Sequence, residues 1–169
     1  MDGNSKLKAQ NLKVQTRKFK VADVFVCFVL SFAFCVLSPL SLRADDLQAQ
    51  AIERYRSGLA YERLGRYSDA YTALQLSENL YPQSAEIALA LGIVASRLRR
   101  YDEAQRALEH SIALDADSTA SYYQLALLYE NKQLSDRALE CWHRFLALSQ
   151  DGLLKSEAQK HIGYLESAR

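Results

Sequence analysis

The feature that most constrains this chain is an internal repeat. Sliding residues 51–152 along themselves by 34 positions, from Gly58 to Gly92, needs no insertion across three copies. Gly58 meets Gly92 and Ala126, and Tyr61 meets Ala95 and Tyr129. Leu64 meets Leu98, and Tyr67 meets Tyr101. Ala70, Ala104 and Ala138 coincide, as do the large apolar residues Leu74, Leu108 and Trp142. Leu80, Leu114 and Leu148 close the three units. A unit this short cannot bury its apolar side alone, so neighbours must stack into a continuous core. Within a unit, Ala104, Leu108, Ser111 and Ile112 follow a helical spacing. Small residues at Gly58, Gly92 and Ala126 on a first helix, and at Ala70, Ala104 and Ala138 on a second, predict close approach of two helices in each unit. Acidic residues at Asp69, Asp102 and Glu103 suit the start of the second helices, where the helix dipole favours negative charge.

The quoted residues resemble a known pattern. GLAYERLGRYSDAYTALQLSENLYP, residues 58–82, is similar to the tetratricopeptide repeat in its glycine, aromatic, Leu-Gly-x-Tyr turn, alanine and closing proline. LGIVASRLRRYDEAQRALEHSIALDA, residues 91–116, follows the same pattern, and LALLYENKQLSDRALECWHRFLALSQ, residues 125–150, follows it less closely. The closing Pro82 has no counterpart at Ala116 or Gln150, and the third inter-helix turn, Lys-Gln-Leu-Ser, lacks the glycine of the first. The resemblance implies an all-α solenoid of three helical hairpins at 51–84, 85–118 and 119–152, within a unit spanning 45–152. Residues 153–169 read as an amphipathic cap helix with Leu154, Ala158, Ile162 and Leu165 on one face. The first helix of unit one should be atypical: Arg54 and Ser57 stand where later units have Ala88 and Leu91, or Tyr122 and Leu125.

The leader is read separately. Residues 1–20 carry six basic residues, Lys6 to Lys20, and an apolar run follows from Val24 to Leu37 with Ser31 its one polar interruption. Pro39 and Ser-Leu-Arg-Ala come next, ending at Ala44 before Asp45-Asp46. That order describes a secretory signal peptide over 1–44. Extended to Leu42, the same run also suits an uncleaved membrane anchor. A buried core helix fits poorly, because the run has no polar face. Under either favoured reading the basic N-terminus stays in the cytoplasm, and residues 45–169 are expected outside it, periplasmic, secreted or membrane-anchored. Neither Cys27, after Val26, nor Cys35, after Phe34, has the small preceding residue that lipid attachment needs. Cleavage would leave Cys141 as the one thiol, so no internal disulfide is expected.

Charge separates the two parts. Residues 1–44 hold seven Lys/Arg and two Asp, a balance of +5; the rest holds 14 and 18 acidic residues, a balance of −4. A mildly acidic folded part argues against nucleic-acid binding, which needs a basic face.

No catalytic constellation is present: the sequence has no G-x-S-x-G, H-E-x-x-H or phosphate loop. His110, His143 and His161 are scattered among polar neighbours and read as solvent-facing; Cys141 beside Trp142 reads as packing. Neither metal, nor cofactor, nor enzymatic activity is expected. The resemblance implies instead that the first helices line a concave groove for a protein or peptide. Its rows would be Ile52, Tyr55, Leu59, Glu62 and Arg63, then Glu86, Leu89, Ile93, Ser96 and Arg97, then Ala120, Tyr123, Leu127, Glu130 and Asn131. Lys and Asn that clamp terminal carboxylates in part of the family are replaced here by Leu and Ile. An apolar centre with a polar rim suits an amphipathic helix or an extended apolar peptide; packing between repeats is the competing use of the same side chains. Arg97, Arg99 and Arg100 form a basic turn, open to an acidic partner or a lipid head group, or simply solvated. The expected role is that of an adaptor or assembly factor in a bacterial-type envelope. The alternatives are a structural subunit of a membrane complex and an accessory subunit of an envelope enzyme.

Overall fold

The computed structural model describes residues 44–168, and from residue 46 onward they form one compact unit. The leader expected over 1–44 therefore lies outside the described residues except at Ala44, and among the described residues no helix is long and apolar enough to cross a membrane. The described residues form seven helices and no strand. α1 covers residues 44–63. α2 is Tyr67–Leu80, α3 Ala85–Arg97, α4 Tyr101–Leu114, α5 Thr119–Asn131, α6 Ser135–Leu148 and α7 Gly152–Ser167. Three hairpins, α1–α2, α3–α4 and α5–α6, stack with α7 against α6. The all-α solenoid expected from the repeat is the fold observed.

Each hairpin closes on small residues. A Cβ added at Gly58 would lie 2.6 Å from Leu74 Cγ, and one at Gly92 would lie 2.6 Å from Leu108 Cγ. Ala70, Ala104 and Ala138 are fully buried at the same contacts. The repeat also sets a buried polar bond. Ser77 Oγ donates to Ala51 O at 2.7 Å, and Ser111 Oγ donates to Ala85 O at 2.8 Å. Each satisfies a backbone carbonyl one helix away, which a buried hydroxyl must do. In the third unit Phe145 replaces that serine and joins an aromatic cluster instead.

The three inter-helix turns share one conformation despite their different sequences. Gly65, Arg99 and Gln133 all have positive φ, at 70, 60 and 58°. The amides that follow, of Arg66, Arg100 and Leu134, donate to Tyr61, Ala95 and Tyr129, each at 2.9 Å. This is the Schellman ending of a helix, which satisfies its last carbonyls. The third turn thus keeps the geometry although it lacks the glycine, because the packed helices on both sides hold it. Left-handed backbone costs a residue with a Cβ about 1–2 kcal/mol, and glycine's extra unfolded-state freedom takes back roughly 0.4–1. Arg99→Gly and Gln133→Gly are each expected to raise stability by about 0.5–1 kcal/mol, a gain of a few degrees in melting temperature. An unchanged or lower melting temperature in both would contradict that account.

The ends differ from the middle. Residues 44–50 of α1 are all exposed, and so is Arg54, where the next unit buries Ala88. Asp151 Oδ1 accepts from the Leu153 and Leu154 amides and starts α7. The buried face of α7 is Ala158, Ile162 and Leu165; Leu154, expected on it, is exposed with Leu153 in the first turn. Ser156, Gln159, Lys160 and Gly163 are exposed on the rest of α7, so the array ends in a solvated face.

Candidate protein-interaction groove

The first helices α1, α3 and α5 form one layer and carry the expected stripe. Tyr55, Leu59, Leu89, Tyr123 and Leu127 are half-buried and packed against the core. Ile93 and Glu62 are half-buried; Arg97 and Asn131 are exposed. The two uses expected for these side chains therefore coexist: one flank packs between repeats and the other meets solvent. Between α3 and α5 the stripe opens into a hollow of about 310 Å3. Ile93, Tyr123 and Leu127 supply its apolar wall, and Arg97 and Asn131 stand at its polar end. Asn131 Nδ2 donates to Leu127 O at 3.0 Å, leaving its carbonyl oxygen unused among the described residues. Tyr55, Leu59, Glu62 and Leu89 do not line this hollow.

Burial, then Glu86 and Glu62, hold the Tyr55 hydroxyl above its ordinary pKa. Burial, a hydrogen bond to Glu157, and Glu130 do the same for Tyr123.

Glu130 is not a free rim residue. Trp142 Nε1 donates to its Oε1 at 2.6 Å, and His161 Nδ1 lies 3.0 Å from both carboxylate oxygens. The His161 ring stacks on Trp142 at 4.8 Å. Tyr123 meets Trp142 edge-on at 5.3 Å and donates its hydroxyl to Glu157 at 3.2 Å. These contacts join α5, α6 and α7. They correct the solvent-facing reading of His161, and His110 likewise faces Glu78 at 3.2 Å; His143 is exposed. Their partners lie 31 and 32 residues away, a separation that local pattern does not reveal.

The basic turn is partly tied down. Arg100 lies 4.6 Å from the Tyr71 ring centre and pairs with Glu103 at 3.5 Å. In the neighbouring turns, Arg66 pairs with Asp69 at 2.6 Å and Lys132 with Asp102 at 2.8 Å. Arg97 and Arg99 are exposed and have no ion pair among the described residues. Cys141 is buried, and burial, then Glu140 and Glu109, push its thiol up to about 12, away from nucleophilic chemistry. Among the described residues no group of three metal-ligating side chains occurs.

Two further hollows, missed in the sequence, open on the face made by the second helices. One of about 430 Å3 lies between α2 and α4; one of about 450 Å3 lies between α4 and α6. Positions 103, 106, 107 and 110 line the first, and positions 137, 140, 141 and 144, one repeat on, line the second.

Models of the tetratricopeptide repeat match residues 54–84 and 85–118. The third hairpin lies outside both matches and shares their turn and packing. Among curated proteins none matches the sequence. Among solved structures, the first repeat domain of Spaghetti (RPAP3), bound to an HSP90 peptide, aligns with TM-score 0.67 at 18% identity, over 72% of this chain and 94% of that one. The Yersinia enterocolitica type III secretion chaperone SycD, with a peptide of the translocator YopD, aligns with TM-score 0.66 at 16% identity, over 69% and 92%. MamA aligns with TM-score 0.66 at 25% identity, over 75% and 66%.

Proposed function

Because the chain is a tetratricopeptide-repeat protein, we propose that it is a protein-interaction module whose partner, a helix or an extended apolar peptide, lies in the groove of α1, α3 and α5. The observation that carries this reading is the hollow between α3 and α5, where an apolar wall ends at the Arg97 guanidinium. Folds of this kind hold an HSP90 peptide in Spaghetti and a YopD peptide in SycD, which supports a peptide as partner here. The same proposal places the module outside the cytoplasm as an adaptor or assembly factor. Its support is the basic, apolar, Pro39, Ala44 order of the leader. N-terminal sequencing decides between a chain starting at Asp45 and one retaining its anchor.

Ile93→Ser and Leu127→Ser probe the groove, Ile93→Ser the more cleanly. Each is half-buried, so each should weaken partner binding by about 1–3 kcal/mol if its side chain is a hot spot. Ile93→Ser should change the melting temperature little, while Leu127→Ser also loses packing against the core and should lower it. Tyr123→Ala is a poorer probe, because Tyr123 also packs on Trp142 and Phe145. Affinity capture of envelope proteins with wild-type and variant chains reads the effect. Full retention of every partner by both serine variants would show that binding occurs elsewhere.

A further inference from the structure

The two hollows on the second-helix face are equivalent in position and carry opposite charges at two matched positions. Glu103 lines the first and Arg137 stands at the same place in the second. Arg106 lines the first and Glu140 stands at the same place in the second. Arg106 and Glu140 are exposed and form no ion pair or hydrogen bond within the described residues. Glu103 already accepts from Arg100 at 3.5 Å, and a carboxylate has room for a further donor.

A surface with this inversion is complementary to itself. A two-fold axis parallel to the second helices reverses the order of repeats and preserves height along each helix. It brings α4 of one copy against α6 of the other with equivalent positions level. Glu103 then meets Arg137 of the second copy and Arg106 meets its Glu140, and symmetry makes each pair occur twice. The relief fits the same operation. The α6 ridge of one copy drops into the hollow between α2 and α4 of the other, and its α4 ridge drops into the hollow between α4 and α6. We propose that the second-helix face pairs with the same face of a second copy of this chain through these interdigitated ridges. The groove of the first helices stays open in that arrangement, so the dimer presents two of them.

Charge exchange tests it. Full-length chains carrying two different affinity tags are mixed in detergent at low salt, and recovery of one tag through the other is measured. Wild type is expected to recover wild type, and recovery should fall as salt screens the pairs. Arg106→Glu sets a second carboxylate against Glu140 and should lose self-recovery at least tenfold. Glu140→Arg sets a second guanidinium against Arg106 and should do the same. Mixed with each other, the two variants again oppose unlike charges, and recovery should return to within about twofold of wild type. Both substitutions are exposed, so both variants should melt like wild type, and restoration in the mixture itself requires both to be folded. Wild-type copies that do not recover each other would overturn the proposal. So would single reversals that leave recovery unchanged, since association would then use another surface, residues 1–43 included. So would a mixture that stays apart.

Discussion

Trp142→Ala is expected to destabilise the array by about 3–5 kcal/mol, lowering the melting temperature by roughly 10–20 °C for a folded part of this size. Trp142 is fully buried, with Tyr123, Phe145 and His161 around its ring. Alanine would leave a cavity between α5 and α6 and remove the surface on which His161 stacks. It would also take away the indole N–H that Glu130 accepts at 2.6 Å. The loss should be read first in α7, whose attachment depends on that cluster. Hydrogen exchange of α7 amides should speed up before that of α3 and α4. Trp142→Phe keeps much of the ring contact and loses the hydrogen bond, a cost of about 1–3 kcal/mol. Exchange in α7 no faster in Trp142→Ala than in wild type would show that the cap is held by other contacts.

Ala104→Leu is expected to cost roughly 1–3 kcal/mol or more, because added methylenes in a tight contact force side chains off their rotamers or helices apart. Ala104 is fully buried, and its carbonyl oxygen would lie 3.3 Å from a Cβ placed at Gly92, so α3 and α4 almost touch there. Ala147 on α6 is exposed, and Ala147→Leu should stay within about 0.5 kcal/mol of wild type. Thermal melts of the two variants are compared side by side. Equal melting temperatures would mean that the small-residue seam is not the closest contact in the hairpin.

The groove was legible in part. A stripe of equivalent positions predicts which residues face one way, and Ile93, Arg97, Tyr123, Leu127 and Asn131 do line one hollow. Glu130 sits on that stripe, yet its carboxylate turns to Trp142 and His161. Nothing in a single repeat announces this, because Trp142 is unique among its equivalents and His161 lies in the cap. The paired hollows on the second-helix face were equally hidden. Their walls come from three helices each, while the pattern along any one helix shows only charged residues at solvent spacing.

What the sequence determined by itself was the register: three hairpins, the small-residue seams at Gly58, Gly92 and Ala126, and the exposed start at Arg54. These follow from local periodicity, which is written along the chain and summed unit by unit. The tertiary structure decided which side chains leave that periodicity. It holds Arg99 and Gln133 in the left-handed region that only Gly65 would adopt readily, since stacked helices fix both ends of each turn. It draws Glu130 inward and leaves Leu154 outside. Such choices rest on contacts between residues some thirty positions apart. Their energies depend on how one unit lies over the next, which no single helix encodes.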